Sequence, residues 1–410
     1  MSALANEVVE RLKSVLGEPQ PGKPYGLHEP EIDELEKKYL NDCLDSTFVS
    51  SVGAFIPQFE QRVAEITGAK YAVAVSNGTV GLQVALYLAG VRPGDEVIVP
   101  TLSFVATANA VSHAGATPHF IDSELTSMGM CPEALRERLS RMRREPDGTL
   151  VNPLTGRRIA AISPMHTLGH PVQIEAIADI AAEYGVPLVE DAAESLGSFV
   201  TTRDGKLKHT GTFGITSMIS FNGNKTITTG GGGVIVTDDD VLGPLAKHLT
   251  TTAKLPHKWE FEHDHVAWNY RMPNLNAALG MAQLEKFDRF LSQKRKLAVA
   301  YGAAFADLDG VRFAFEPEGT TSNYWLCAIQ LDEPSLELRD SVLQACHDAG
   351  FLARPMWNLL HKQRMYTSAP AAGDELGGSL ENAIALHASL ICIPSTPRLA
   401  ELPGVIARLA

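Results

Sequence analysis

The chain is 410 residues long, 45% apolar and 20% charged, with 35 basic residues against 48 acidic ones and a formal net charge of −13. That is enough chain for one large and one smaller domain, each with its own core. So acidic a balance argues against non-specific binding to nucleic acid or to an anionic membrane surface, and five scattered cysteines with no C-x-x-C spacing argue against a disulfide framework or a cysteine zinc site.

The first residues, MSALANEVVERLKSVLGEP, carry charges every few positions and contain no apolar core segment of the kind that marks a signal peptide. They read as an amphipathic helical arm occupying residues 1–25. No apolar run approaches the ~20 residues that span a bilayer, so a cytoplasmic protein is expected, with no membrane partner.

From residue 60 to 250 helix and strand signals alternate. QFEQRVAEITGA reads as helix, YAVAVS as strand, GTVGLQVALYLAG as helix, EVIVP as strand, ATANAVSHAG as helix and TPHFID as strand. IAAISPM, the helix QIEAIADIAAEYG, the strand VPLVED and the pair SMISF and GGVIVTD follow. Short β-branched runs between longer helical patterns predict an α/β fold with a mostly parallel sheet between helices, and ligands bind such sheets beyond the carboxyl ends of the strands. The large domain is assigned to residues 26–285. A His- and Trp-containing stretch, HKWEFEHDHVAWNYRMPN, precedes a helix expected to run unbroken through LNAALGMAQLEKFDRFLSQKRKLAVAYGAAFADL. A smaller C-terminal α/β domain is assigned to 286–410, with NYWLCAIQL as a strand and LELRDSVLQACHDAG as a helix.

Three segments carry chemistry. In Ser220-Phe-Asn222-Gly-Asn-Lys225, followed by Thr-Ile-Thr-Thr and four glycines, a lysine sits between two predicted strands beside backbone that a ligand can approach closely. Partly desolvated, such a lysine is a neutral amine able to condense with a carbonyl; a solvated loop lysine is the alternative. In Val-Pro-Leu-Val-Glu-Asp191-Ala-Ala-Glu194 a strand ends on carboxylates. Asp191 there can pair with a pyridine nitrogen or simply cap the next helix. In Ser76-Asn77-Gly78-Thr79 a strand turns into a helix whose N-terminus is a natural phosphate seat, although neither the P-loop nor the G-x-G-x-x-G pattern is present. An amine for an aldehyde, a carboxylate for a ring nitrogen and a seat for a phosphate, at strand ends of one sheet, are the three handles of pyridoxal phosphate.

With these handles, the chain resembles the DegT/StrS-type nucleotide-sugar aminotransferases over about Leu27 to Pro394. The resemblance is carried by Phe59-Glu60, Ser76–Thr79, Gly94–Pro100, Ser103–Thr107, His166…Gly169, Glu190–Ala193, Ser220–Lys225, Trp268–Met272 and Arg354-Pro355. It implies a fold-type-I pyridoxal-phosphate enzyme with a seven-stranded, mostly parallel sheet. It also implies that Lys225 bonds the cofactor and then moves the proton, Asp191 holds the ring nitrogen, and Gly78, Thr79 and Ser220 bind the phosphate. By the same resemblance Phe104 is expected to stack on the ring, Glu194 and Asn222 to lie beside the cofactor, and no metal to take part. Asn269 resembles a residue that the family sends to a partner's phosphate, which implies a homodimer with shared active sites; an interface or core turn with no cofactor contact is the alternative for that segment. Two positions depart from the family pattern: Glu194 stands where many relatives have Gln or His, and Gly231 where many have Glu.

Leu27-His28-Glu29-Pro30 and Phe48–Gly53 resemble phrases from aminotransferases of legionaminic-acid-type pathways. That implies amination at C4 of a UDP- or GDP-linked 4-keto-6-deoxy-2-acetamido sugar, with L-glutamate as donor. The rivals are a sugar dehydratase on the same scaffold, which normally carries histidine in place of the lysine, and a non-catalytic regulator, which usually carries an attached DNA-binding domain.

Overall fold

The computed structural model describes residues 3–409. Its central feature is a sheet built from β1 (Tyr71–Val75), β2 (Glu96–Pro100), β3 (Thr117–Ile121), β4 (Ile159–Ile162), β5 (Val189–Asp191), β6 (Thr216–Ser220) and β7 (Gly233–Thr237). The spatial order is β1-β7-β6-β5-β4-β2-β3. β4 and β5 meet through the parallel bridge Ile162 to Leu188, backed by hydrogen bonds from Ile162 N to the Pro187 oxygen and from Asp191 N to the Pro164 oxygen. Every neighbouring pair is parallel except the two made by β7, which is antiparallel to both β1 and β6. The near-continuous apolar strands follow from burial on both faces, since helices cover each side of a parallel sheet. β2 is buried along its whole length.

A second, antiparallel sheet of order β8-β9-β11-β10 is formed by β8 (Val311–Phe313), β9 (Cys327–Leu331), β10 (Arg354–Pro355) and β11 (Leu390–Ile393). The N-terminal helix α1 (Ala3–Leu16) buries Val8, Leu12 and Val15 in the same core as Tyr301, Phe305, Cys346 and Ile393. The two ends of the chain therefore share one apolar cluster. All five cysteines are free and buried. Among the described residues no helix is long and apolar enough to cross a membrane.

Two sequence expectations are corrected. The helix expected to run unbroken from Leu275 is two helices, Asn274–Glu285 and Phe287–Phe305, broken at Lys286. The Lys286 side chain is drawn aside to Glu36 and Asp33, each at 2.7 Å, and its N–H bonds back to Gln283 and Leu284 instead of continuing the i−4 ladder. The strand expected over NYWLCAIQL starts only at Cys327, because Tyr324 takes a left-handed φ of 46° that ends extended structure and turns Trp325 toward the main sheet.

Lys294, in the second of these helices, is among the fully buried side chains. Its Nζ donates to the carbonyls of Trp325 (3.0 Å) and Ser395 (2.8 Å), and among the described residues no carboxylate pairs with it. Burial pulls its pKa from 10.5 down to about 7. Between those values the unfolded chain binds more protons than the folded one, so stability rises with pH across that window. Chemical denaturation of wild type and Lys294→Met from pH 6 to 10 should show the wild type gaining relative to the variant as pH increases. A constant difference would mean that this lysine titrates normally.

Candidate active site

The carboxyl ends of β1, β5 and β6 open into a cavity of about 510 Å³, roofed by residues from the second sheet. One wall is the turn from β1 into the helix Gly78–Leu88. Asn77 caps that helix, its side-chain oxygen accepting from Val80 N at 3.1 Å, a cap of about 1 kcal/mol. The first-turn N–H groups of Gly78 and Thr79 have no upstream carbonyl within the helix and carry the positive end of its dipole. The turn lies directly on the strands beneath it. A Cβ on Gly233 would come within 2.8 Å of the Asn77 backbone, and one on Gly78 within 3.1 Å of the Ser220 Cβ. Glycine at these two positions lets the helix N-terminus and the Ser220 side chain meet, which builds an anion cradle.

The floor is the end of β5. Asp191 is 2% exposed; its Oδ2 accepts from Thr107 Oγ1 at 2.7 Å and its Oδ1 from Ala193 N at 3.1 Å. Burial raises the Asp191 pKa, opposed by these hydrogen bonds and the nearby charge of Lys225. Next to it, the neighbouring Glu190 is buried and receives Gly211 N, Phe213 N and Gly214 N together with His166 Nε2 at 3.0 Å. Burial alone would raise its pKa, but the His166 contact and these N–H groups bring it below the ordinary value. The end of β5 is thereby pinned to the 211–214 segment that leads into β6 and to His166.

Lys225 stands on the β6–β7 connection, which closes on itself: Phe221 N bonds Gly232 O and Thr229 N bonds Phe221 O. Phe221 packs edge-on against Phe59 at 4.9 Å. This is an anchored loop, despite its glycines. The Lys225 side chain is 12% exposed and lies between two groups: Glu194 Oε1 at 3.0 Å, and the Trp325 indole face at 3.7 Å from the ring centre. Trp325 Nε1 also donates to the carbonyl of Asn224 at 2.7 Å, fixing the peptide just before the lysine. A desolvated cation–π contact contributes about 2 kcal/mol. The other Glu194 oxygen accepts Leu168 N at 2.9 Å. Burial pushes the Glu194 carboxyl up to about 7, even against the pull of Lys225.

Of the residues singled out from sequence, Gly78, Thr79, Phe104, Asp191, Glu194, Ser220, Asn222 and Lys225 all line this one cavity. Phe104 is 47% exposed at the mouth, its ring 6.1 Å from Trp357. Asn222 is exposed and donates its Nδ2 to Asn224 Oδ1 at 3.0 Å. Asn269 lies outside: it is exposed on the protein surface and accepts from Arg271 Nε at 2.8 Å. A side chain at Gly231 would meet open space, so that departure from the family pattern has no steric consequence. Sequence reasoning assigned no role to Trp325 or Thr107. Thr107 could have been found from its place one turn into the helix Val105–His113, which starts at the end of β2. Trp325 had no local signal.

The residues fit pyridoxal phosphate. Asp191 is a buried carboxylate that receives hydrogen bonds but no direct cation, which a protonated ring nitrogen would supply. The amine of Lys225 faces the same space, and the Gly78–Thr79–Ser220 cradle suits a phosphate. A sheet of this order, with a lysine, a buried carboxylate and an anion cradle at its edge, is the architecture of the fold-type-I pyridoxal-phosphate enzymes. The chain belongs to the DegT/DnrJ/EryC1/StrS aminotransferase family, whose model matches residues 30–408. It is 37% identical over 340 residues to GDP-perosamine synthase of Vibrio cholerae, covering 83% of this chain and 86% of the relative. Among solved structures it is similar to the aminotransferase TlmJ of Streptoalloteichus hindustanus, with 28% identity, a TM-score of 0.80 and coverage of 94% and 97% of the two chains. It is likewise similar to DesI, solved with its TDP-sugar product, with 26% identity, a TM-score of 0.76 and coverage of 94% of each chain.

Proposed function

We propose that the protein transfers an amino group from L-glutamate to a keto-sugar linked to a nucleotide, at C4 of a UDP- or GDP-linked 4-keto-6-deoxy-2-acetamido hexose. The observation that carries this reading is the convergence of Lys225, Asp191 and the Gly78–Thr79–Ser220 cradle on one cavity whose mouth is open and aromatic. The relative named GDP-perosamine synthase and the DesI structure with a TDP-sugar product support a nucleotide-linked sugar as the class of acceptor.

Bound in the cavity, pyridoxal phosphate supplies the electron sink. The protein's residues do the rest. Gly78 and Thr79 N–H groups and the Ser220 hydroxyl hold the phosphate. Asp191, oriented by Thr107, keeps the ring nitrogen protonated. The amine of Lys225 would hold the cofactor's aldehyde, and as the one amine lining the cavity beside Asp191 it would serve as the acid/base of the transfer. Phe104, 6.1 Å from Trp357, would cover the ring from the mouth, and Asn222 would line the cavity beside the cofactor.

The same reading includes a homodimer in which Asn269 completes the partner's phosphate site. Its support is the segment just before Asn269, which exposes Trp259 (70%), Phe261 (78%) and Val266 (98%), an apolar display that water disfavours and a second copy would cover.

The test is to incubate the cofactor-loaded protein with L-glutamate and a panel of UDP-, GDP- and dTDP-linked keto-sugars and weigh the products. Conversion of the N-acetylated 4-keto-6-deoxy sugar to its amine, with formation of 2-oxoglutarate, is expected to exceed that of the plain 4-keto-6-deoxyhexose. No aminated sugar from any member of the panel would overturn the reading.

A further inference from the structure

The stretch between the helix Leu242–Thr250 and Asn269 is rich in histidine, and none of its residues lines the cofactor cavity. It leaves the helix through Thr252 and Ala253, two consecutive non-glycine residues with left-handed φ of 71° and 50°, which fold the chain back over the helix end. A hairpin follows, closed by Leu255 N to Glu262 O at 2.8 Å and by the antiparallel bridge from Lys254 to His263. Ala253 N bonds His248 O at 2.8 Å and Trp268 N bonds Leu249 O at 3.0 Å, so both ends of the hairpin are tied to that helix.

This return brings two imidazoles and a carboxylate together. His248 Nε2, from the last turn of the helix, and His265 Nδ1 both donate to the same oxygen, Asp264 Oδ1, at 2.7 and 2.8 Å. The two rings stand edge-on, at 88° with centres 5.9 Å apart, so they approach the carboxylate from different directions. One ligand atom from each of the three residues lies within 4.8 Å of the other two. Asp264 and His265 are exposed and His248 is half-buried. The neighbouring histidines are engaged elsewhere: His257 Nδ1 accepts Glu260 N at 2.8 Å, and His263 Nδ1 donates to Thr252 O at 2.8 Å.

We propose that His248, Asp264 and His265 form a binding site for a divalent transition-metal ion of the zinc type, which clips the hairpin to the end of the helix. Imidazole nitrogen and carboxylate oxygen are ligands that zinc accepts, at about 2.0–2.2 Å. Two such ligands on a tetrahedral ion sit about 3.3 Å apart, so the present contacts need to open by only about 0.5 Å. The ion takes the place of the shared hydrogens, and each imidazole then carries its one proton on the other ring nitrogen. Three protein ligands leave a fourth position, which water fills on the exposed side. The site lies apart from the cofactor cavity, and the ion's effect is on the segment that carries Trp268 and Asn269.

The experiment takes tag-free, cofactor-loaded protein, strips it with a chelator, and titrates it with zinc chloride by calorimetry at neutral pH. Wild type should bind one zinc ion per chain. His248→Ala, Asp264→Asn and His265→Ala should each weaken binding by about 100-fold or more, beyond the 10–100-fold that loss of an outer-shell partner costs. His257→Ala, which removes an exposed histidine of the same hairpin outside the trio, should bind as wild type does. Asp264→Asn and His265→Ala change exposed side chains, so they carry the test if the helix variant does not fold. Zinc should also slow amide hydrogen exchange over residues 251–269 in wild type and not in His265→Ala. Absence of binding, an affinity unchanged in the folded ligand variants, or an equal loss in His257→Ala would overturn the site. Binding without slower exchange would overturn the clip.

Discussion

Replacing Lys225 with alanine should lower turnover by a factor on the order of 10⁴ or more, because one amine is asked both to bond the cofactor and to move the proton. The fold should survive. The side chain makes one ion pair and one aromatic contact, and the Glu194 carboxyl left behind is already held near neutrality by burial, so it takes up a proton instead of remaining a bare buried charge. The variant should therefore bind pyridoxal phosphate through the Gly78–Thr79 turn without forming the visible band of a lysine-bound cofactor. Steady-state assays, absorption spectra and circular dichroism on the same preparation check all three points. Full activity in a folded Lys225→Ala protein would refute the site.

The second large effect is expected at Asp191. Asparagine has the same shape and can still accept the Ala193 N–H, but it carries no charge to keep a ring nitrogen protonated. The expected loss in kcat is on the order of 10³, about 4 kcal/mol of transition-state stabilisation. Unlike Lys225→Ala, Asp191→Asn should retain the lysine-dependent visible band, because the amine at 225 is untouched. A variant within tenfold of wild type would show that the carboxylate does not act on the ring nitrogen. Thr107→Val should give a weaker form of the same defect, since it removes the 2.7 Å hydrogen bond that orients the carboxylate without removing the charge.

Much of this architecture is legible in the chain itself. The alternation of short β-branched runs with helical patterns encodes a parallel sheet, because period and length are local properties. Residues with distinctive chemistry at the ends of those runs, Asp191 at the close of β5 and Gly78 and Thr79 at the start of a helix, are delivered to the carboxyl edge by the topology of any such sheet. Lys225 is legible for the same reason, as a lysine on the link between two adjacent strands. The break at Lys286 was not legible: no proline or glycine stands at the break, Gly280 and Gly302 lying inside the two helices, and the side chain that unseats it is drawn to Glu36, about 250 positions earlier in sequence.

What only the tertiary structure decided is the electrostatic setting of the reactive nitrogen. Its partner Glu194 lies 31 positions away in sequence and Trp325 100 positions away. Trp325 faces inward because Tyr324 adopts a left-handed conformation that no strand pattern announces, and Lys294, which holds the Trp325 carbonyl, is buried although lysine is ordinarily exposed. Sequence by itself determined which groups reach the edge of the sheet, since that follows from local periodicity. Which of them touch, and with what charge, depends on long-range packing and desolvation, and these exist only once the chain has closed on itself.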